Sequence, residues 1–147
     1  MIISFDIDNT LIPYSDEFEV EEKTLIPKIL GAESIRKGTI FLFNELEKRD
    51  HEVWIYTTSF RSIFQLKKTF KSYGLNPSKI INENINQKQL KKYNCKASKN
   101  PKLFGIDLHI DDSRGVEIEG NRYGFNTLII RTEDKNWVNK IMTKIES

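Results

Sequence analysis

The sequence predicts an α/β fold in which a parallel sheet is covered by helices on both faces. Short apolar segments of strand length alternate along the chain with segments of helical periodicity, and this alternation is typical of parallel sheets. Three of the predicted strands also end in Asp or Thr, at residues 8, 57 and 111. Because ligands of such sheets bind beyond the carboxyl ends of the strands, these polar ends predict a functional site there.

Composition and charge limit the classes of protein to which the chain can belong. With 147 residues, 30% of them charged and 38% apolar, the chain is expected to form one domain of residues 1–147 with its own core. The net charge of +2 is too small to indicate nucleic-acid binding by itself. Cys95 is the only cysteine, which excludes an internal disulfide and indicates a reducing compartment. No apolar run reaches membrane-spanning length and no signal peptide follows Met1, so we expect a cytoplasmic protein.

The first half of the chain predicts two strands, an irregular insert and a helix. The first strand covers residues 2–8, where an apolar start leads into two acids. Within the insert at 11–38, residues 15–23 mix acids with Phe18 and Val20 in alternation, which favours a short hairpin or flap over a helix. Thr39–Arg49 has the spacing of an amphipathic helix, and Glu52–Thr57 is rich in large apolar residues, as a buried strand should be.

The middle of the chain predicts a second long helix. Ser59 is expected to cap it and Gly74 to end it. Its apolar stripe would consist of Phe60, Ile63, Phe64, Phe70 and Tyr73. A short third strand at 79–82, a short helix at 87–93 and a loop at 96–102 follow.

The last third of the chain predicts two strands and a helix. The fourth strand covers 106–111 and leads into a loop at 111–115, and the fifth strand covers 127–131. Asp134 is expected to cap a final amphipathic helix that carries Trp137 and Ile141.

The two acids at the end of the first strand indicate metal-assisted chemistry. Asp6 and Asp8 lie two residues apart, so in strand geometry their side chains point the same way. Two carboxylates this close are costly to ionise together, and a hard cation such as Mg²⁺ would relieve that cost. The alternative is that both acids only cap a turn.

Three stretches resemble the motifs of the haloacid dehalogenase (HAD) superfamily of phosphohydrolases. Asp6-Ile7-Asp8-Asn9-Thr10 matches the Asp-x-Asp-x-Thr signature of that family. Val53–Thr57 is similar to its second motif and Leu108–Asp112 to its fourth, and the three occur in the family's order. The resemblance extends from Ile2 to about Ile130.

The resemblance implies a fold and a reaction. The fold would be a Rossmann-like three-layer α/β structure with strand order 3-2-1-4-5 and only a minimal cap, because residues 11–38 and 82–105 are too short for the common cap domains. The reaction would be Mg²⁺-dependent hydrolysis of a phosphomonoester through an aspartyl-phosphate. Asp6 would be the nucleophile and Asp8 the general acid and then base.

Further residues take roles from the same resemblance. Thr57 would bind the phosphoryl oxygens, and the family's motif lysine could be either Lys99 or Lys102; the turn expected at Pro101 favours Lys99. The candidate metal ligands are Asp6, Asp8, Asp111 and Asp112; Asp8 would bind through its main-chain carbonyl, and Asp112 is preferred over Asp111 as the direct ligand. The candidate substrate-binding residues are Asn9, Thr10, Thr58 and Ser59. His109 is expected to be a packing residue.

Two other functions stay open on the sequence alone. An open site suits a phosphate on a large substrate, including a nucleic-acid end, or a small substrate if a neighbouring subunit closes the site. The lysines that could attract a polyanion are at 67, 68, 71, 88, 91, 92 and 96, although solvated helix faces are the preferred explanation because acids occur elsewhere in the chain. A non-catalytic module that binds a phosphorylated ligand is the third candidate, and the intact acids at 6, 8 and 112 argue against it.

Overall fold

A computed structural model describes all residues 1–147 and contains one five-stranded sheet. The strands are β1 (Ile2–Phe5), β2 (Glu52–Tyr56), β3 (Lys79–Ile81), β4 (Leu108–Asp111) and β5 (Thr127–Ile129). The helices are α1 (Leu25–Ile29), α2 (Thr39–Lys48), α3 (Ile63–Ser72), α4 (Glu83–Lys92), α5 (Arg114–Tyr123) and α6 (Trp137–Glu146), with a 3₁₀ turn at Pro101–Phe104.

All strand pairs are parallel, and the order is β3-β2-β1-β4-β5. This confirms the predicted fold class and strand order. The central strand β1 pairs with β2 on one side and β4 on the other, with Phe5 level with Ile55 and Ile110. The residues that follow these three positions therefore emerge at the same edge of the sheet.

The two faces of the sheet differ in polarity. On one face Phe5 of β1 packs on Phe43 of α2, with ring centroids 5.0 Å apart, and Phe43 packs on Phe70 of α3 at 6.0 Å. Side chains alternate between faces along a strand, so Ser4 and His109 lie on the other face, where both are fully buried. The Asp6 and Asp111 side chains follow the same alternation, and this polar face leads to them.

Helix α3 begins later than predicted. Its N-cap is Ser62, whose side chain accepts a hydrogen bond from the Gln65 N–H, so the prediction that Ser59 caps this helix is wrong. Because the helix begins at Ile63, Phe60 and Phe64 are exposed, and the buried stripe contains Leu66, Thr69, Phe70 and Ser72. Helix α4, by contrast, begins four residues earlier than predicted, because Asn82 caps it and accepts from the Ile85 N–H.

Helix α5 was not predicted at all, since only a loop was expected after β4. Its sequence has few apolar residues and carries Gly115 and Gly120, which are unfavourable within a helix, so the composition does not indicate one. Gly120 is required by packing, because a Cβ there would lie 3.0 Å from the Phe125 carbonyl oxygen. The cap predicted for α6 is also wrong: Asp134 accepts from the Asn136 N–H, one turn before the helix, and pairs with Lys140.

Main-chain hydrogen bonds between two segments of the insert at 11–38 hold it together. Residues on either side of Val20 and Arg36 pair in antiparallel fashion, and α1 lies between the two paired segments. The Arg36 guanidinium is buried between the rings of Phe18 and Trp137 and donates to the carbonyls of Thr10, Arg131, Thr132 and Asp134. The pairing joins the interior of the insert to its last residues across α1, so the alternation at 15–23 does not form a local hairpin, and the flap alternative is the one that agrees with this path.

Two surface features bear on binding. The lysines at 67, 68, 71, 88, 91, 92 and 96 form no ion pair, and all but the half-buried Lys68 are exposed. None of these lysines therefore forms an ion pair with the acids at the ends of the strands, Asp6, Asp8, Asp111 and Asp112. None of the helices has the length and apolar character that crossing a membrane requires.

Candidate active site

Three strand ends place polar side chains together at the carboxyl edge of the sheet. Asp6 follows β1, Thr57 follows β2, and Asp111 ends β4 with Asp112 immediately after it. Asp6 and Thr57 are held there by main-chain hydrogen bonds, from Asp6 N–H to the Ile110 carbonyl and from Thr57 N–H to the Ile81 carbonyl, both 2.9 Å long. The sheet itself thus fixes the positions of these residues.

A buried ammonium joins two of the acids. The Nζ atom of Lys99 donates to Asp6 Oδ1 at 2.6 Å and to Asp111 Oδ2 at 2.7 Å. The Lys99 side chain is only 4% exposed, and those of Asp6 and Asp111 are 10% and 2% exposed. Of the two candidate lysines, the structure brings Lys99 into the site; Lys102 is exposed on the 3₁₀ turn and forms no ion pair.

The loop that carries Lys99 is fixed on both sides of it. Ser98 donates to the Glu119 carboxylate through its N–H and its hydroxyl, and its carbonyl accepts from Asn86 at 2.8 Å. The Asn100 N–H donates to the Tyr56 hydroxyl at 2.9 Å. Because both neighbours are anchored, the backbone directs the Lys99 side chain inwards to the acids.

His109 completes this buried network. Its Nδ1 lies 2.8 Å from Ser4 Oγ and its Nε2 lies 2.9 Å from Asp111 Oδ2. Burial lowers the pKa of His109, and the nearby Lys99 charge lowers it further, so the imidazole is neutral. An Nε2–H that donates to Asp111 and an Nδ1 that accepts from Ser4 satisfy both ring nitrogens. His109 is thus the packing residue expected, and it also orients Asp111.

Burial and neighbouring charges separate the pKa values of the two acids. Burial raises the pKa of Asp6 to about 7, an effect that the Lys99 charge opposes and the Asp111 charge adds to. Burial also acts to raise the pKa of Asp111, but Lys99 and the His109 hydrogen bond outweigh it and hold that pKa well below its usual range. The same two carboxylates outweigh desolvation at Lys99 and raise its pKa, so the lysine stays charged.

Three carboxylates form a group with the donor chemistry of a hard cation site. Asp6, Asp111 and Asp112 each offer an oxygen within 4.8 Å of the others. Both Asp111 oxygens already accept hydrogen bonds, Oδ1 from Ser113 N–H and Oδ2 from Lys99 and His109. Asp6 Oδ2 and Asp112 Oδ1 accept only 3.5 Å contacts from the Thr10 hydroxyl, and Asp112 Oδ2 accepts no hydrogen bond, so Asp6 and Asp112 keep oxygens free for a cation. The donor set therefore fits a hard cation such as Mg²⁺.

Asp8 is not part of that carboxylate group. Its Oδ1 accepts a hydrogen bond from Arg61 Nη1 at 3.0 Å, and the side chain is 26% exposed. The remaining donors of Arg61 go mainly to Glu33 of the insert, from Nε at 2.9 Å and from Nη2 at 2.8 Å. The Asp8 side chain is thus held by a guanidinium, and the metal contact that the resemblance implies for this residue is through its main-chain carbonyl instead.

Arg61 and Glu33 were missed by the sequence interpretation. A cap at Ser59 places the residues directly after it in the helix and not in the site. In the structure residues 59–61 form a loop at the end of β2, in which Ser59 Oγ accepts from both the N–H and the Nη1 of Arg61. A cation within five residues of a strand that ends in Thr was the available signal.

The other candidates occupy distinct positions. Thr57 is buried and its Oγ1 accepts from the Ser59 N–H at 3.0 Å, which leaves its hydroxyl proton free to donate. Thr58 is exposed. Asn9 has a positive φ of 58°, a conformation that Asn tolerates, and its side chain accepts from the Tyr14 N–H, so it stabilises the turn. The Tyr14 phenol lies near the site, where the Asp8 charge raises its pKa.

Comparison with known proteins finds matches among solved structures, and none among protein-family models or curated sequences. A predicted HAD-like family hydrolase from Porphyromonas gingivalis superposes with a TM-score of 0.54 at 15% identity, covering 99% of this chain and 98% of that one. CbbY from Rhodobacter sphaeroides, solved as a mutant with xylulose-(1,5)bisphosphate, gives a TM-score of 0.49 at 11% identity, over 88% and 85% of the two chains. The first of these matches shows that the chain has the fold of a HAD-like hydrolase.

Proposed function

We propose that residues 1–147 form one HAD-like hydrolase domain, with the insert at 11–38, that hydrolyses phosphomonoesters with Mg²⁺ through an aspartyl-phosphate on Asp6. The observation that carries this proposal is the pairing of Asp6 with Lys99 at 2.6 Å, beside the free oxygens of Asp6 and Asp112, at the carboxyl edge of a parallel sheet. A buried cation next to a carboxylate stabilises the negative charge of a phosphoryl group during transfer.

The chemistry divides into two displacements. An oxygen of Asp6 attacks phosphorus while the bond to the leaving oxygen breaks, and Asp8 gives its proton to that oxygen. Asp8 then takes a proton from a water molecule whose oxygen attacks phosphorus, which releases phosphate and regenerates the Asp6 carboxylate. Lys99 stays charged through both steps, and the free hydroxyl proton of Thr57 can donate to a phosphoryl oxygen.

The candidate ligands for Mg²⁺ are Asp6 and Asp112, with Asp111 held by Lys99 and His109 behind them. Bound there, the ion would offset the charge of the acids and of the phosphoryl group. Three carboxylates and one ammonium carry a net negative charge, and a cation beside Asp6 favours its ionised, nucleophilic form over the protonated one.

Removing a ligand should weaken metal binding measurably. We expect Mg²⁺ to raise the midpoint of thermal unfolding of the wild type in a concentration-dependent way, because a ligand that binds only the folded state stabilises it. Asp112→Asn should need at least about tenfold more Mg²⁺ for the same shift, the weakening typical of a damaged metal site. Asp16→Asn, at an exposed acid of the insert, is the control. An equal Mg²⁺ response in Asp112→Asn would exclude Asp112 as a ligand.

Asp8→Asn tests the proposed function by separating the two displacements. Asn cannot give a proton, so hydrolysis of alkyl phosphates should fall by about 10²–10⁴-fold, the usual value of general acid–base help. Esters of acidic phenols need no proton on the leaving oxygen, so Asp6 should still be phosphorylated by them. The phosphorylated intermediate should then accumulate, because the base for its hydrolysis is missing, and its mass should be detectable. Equal losses with both ester classes and no intermediate would contradict this role.

A further inference from the structure

We propose that Arg61 is a positioning residue for Asp8 and that Glu33 of the insert holds Arg61 in the required orientation. This inference rests on the proposed phosphohydrolase function and adds two residues to its machinery. It also gives the insert at 11–38 an indirect part in catalysis, through the side chain of Glu33.

The nitrogen atoms of the Arg61 guanidinium bind two different groups of partners. Nε and Nη2 form a two-point pair with the two carboxylate oxygens of Glu33, at 2.9 and 2.8 Å. Such fork-to-fork pairing fixes the plane of the guanidinium as well as its position. Nη1 is then directed to Asp8 Oδ1 and to Ser59 Oγ, both at 3.0 Å. Glu33 therefore determines where Nη1 lies, and Nη1 determines where Asp8 lies.

The two acids that share Arg61 come from separate parts of the chain. Asp8 follows the central strand and Glu33 belongs to the insert, while Arg61 lies between β2 and α3. The three side chains are 20–32% exposed, less than the 67% and 80% of the surface pair Lys37–Glu19. The insert is anchored at the same point a second time, because the Tyr73 hydroxyl donates to the Glu33 carbonyl at 2.8 Å. No other cation forms an ion pair with Asp8.

The arrangement assigns different tasks to the two oxygens of Asp8. Oδ1 is held by Arg61, whereas Oδ2 accepts no hydrogen bond from the protein. The proton that Asp8 gives to the leaving oxygen, and later takes from water, is therefore carried by Oδ2. If Arg61 is removed, the carboxylate can rotate about its side-chain bonds, and a displacement of about 1 Å at a reacting group can cost roughly 10²-fold in rate.

The test is the leaving-group contrast in matched variants. Arg61→Gln should lower kcat for an alkyl phosphate by about 10²-fold, with KM nearly unchanged. Hydrolysis of an aryl phosphate with an acidic phenol should lose far less in its first step, since no proton is needed there. Glu33→Gln should show the same contrast with a smaller amplitude, because the neutral amide still accepts one hydrogen bond from Arg61. Arg61→Lys keeps the charge but not the fork, and should recover part of the loss.

Double substitutions distinguish positioning from a general loss of stability. Arg61→Gln should have no further effect on alkyl phosphates in an Asp8→Asn background, and Glu33→Gln none in an Arg61→Gln background, because each acts through the next. Arg49→Gln is the matched control: Arg49 also pairs with two acids, Glu45 and Glu146, but on the surface formed by α2 and α6. Tyr73→Phe loosens the Glu33 backbone while keeping its carboxylate, and should show a weaker contrast.

Several outcomes would overturn the inference. A raised KM with equal losses on both ester classes would mean that Arg61 binds substrate directly. Multiplicative effects of Arg61→Gln and Asp8→Asn would mean that the two act independently. If Arg61→Lys and Glu33→Gln both lowered the unfolding temperature without changing the kinetics, Arg61 and Glu33 would contribute only to the stability of the fold. Wild-type protein that hydrolyses no phosphate ester overturns the proposed function itself, and this role with it, whereas an active enzyme without the contrast overturns only the role of Arg61.

Discussion

Replacing Asp6 with Asn is expected to abolish turnover of every phosphate monoester while the chain remains folded. The amide keeps the shape of the carboxyl group, and its oxygen can still accept from Lys99, which donates to Asp6 Oδ1 at 2.6 Å in the wild type. It cannot form an acyl phosphate, so no intermediate can arise. Steady-state assays over a panel of phosphate monoesters with Mg²⁺, together with mass analysis for the phosphorylated chain, measure both effects.

The same substitution should change the pH dependence of stability in a defined direction. Burial raises the folded-state pKa of Asp6 to about 7, above its unfolded value of 3.8, so the folded state holds this proton more tightly. Wild-type stability from this group is therefore greatest below about pH 4 and is lost as the pH rises to about 7. In metal-free protein Asp6→Asn should gain stability relative to wild type over that interval and keep the gain above it. Denaturant titrations at several pH values measure the difference.

Two results would contradict this account of Asp6. Turnover by Asp6→Asn equal to that of wild type would remove Asp6 as the nucleophile and favour the non-catalytic binding module. If the stability advantage of Asp6→Asn over wild type became smaller as the pH rises, the folded protein would favour the ionised form of Asp6 over the protonated one. Asp16→Asn, at an exposed acid, should change neither property and serves as the control for both measurements.

The sheet could be predicted from the sequence because local and global signals agree there. β1, β2 and β4 are short, largely buried segments, and Asp or Thr ends each of them or follows it directly. Most of their apolar residues join the main core, while Trp54 and Tyr56 of β2 belong to a second, smaller cluster. Helix boundaries were less predictable because capping depends on which of several nearby residues faces the free N–H groups. Ser59 and Ser62 are chemically equivalent candidates three residues apart, and only the path of the backbone after β2 decides between them.

The residues of the candidate site also differ in how well the sequence predicts them. Asp6, Asp8 and Asp112 follow strands and could be assigned from motif position alone. Lys99 was harder, because its burial depends on anchors far away in the sequence, Tyr56 and Glu119, which hold the residues on either side of it. Glu33 could not be assigned at all, since an acid in an irregular insert gives no sequence signal for a partner 28 residues away.

Lys99→Met is expected to destabilise the protein more than any other single change in the site. Methionine fills a similar volume but leaves Asp6 and Asp111 buried together without their cation. Breaking a buried ion pair by removing one partner typically costs about 3–5 kcal/mol, because an uncompensated charge stays buried. The free energy of unfolding at neutral pH, from denaturant titration, should fall by an amount in this range, and phosphatase activity should be lost with it.

The pH dependence of that loss identifies its cause. Without Lys99 the pKa values of both acids should lie above their unfolded values, so the folded variant binds protons more tightly and gains stability as the pH falls. In the wild type the Asp111 contribution persists over this range, because its folded pKa lies below the unfolded value of 3.8 and stability is lost only below about pH 4. Asp6, whose wild-type pKa is already raised to about 7, gains less on acidification than it does in the variant. The stability gap between variant and wild type should therefore narrow steadily from pH 8 towards pH 4.

A second substitution separates lost charge compensation from lost packing. Asp111→Asn in the Lys99→Met background removes one of the two unpaired charges and should restore part of the stability at neutral pH, although neither change restores activity. Lys102→Met is the control, because Lys102 is exposed and forms no ion pair, and it should leave stability and activity close to wild type. A gap independent of pH, with no recovery in the double variant, would mean that Lys99 contributes through packing alone. An inactive Lys102→Met beside an active Lys99→Met would transfer the role of the motif lysine to Lys102.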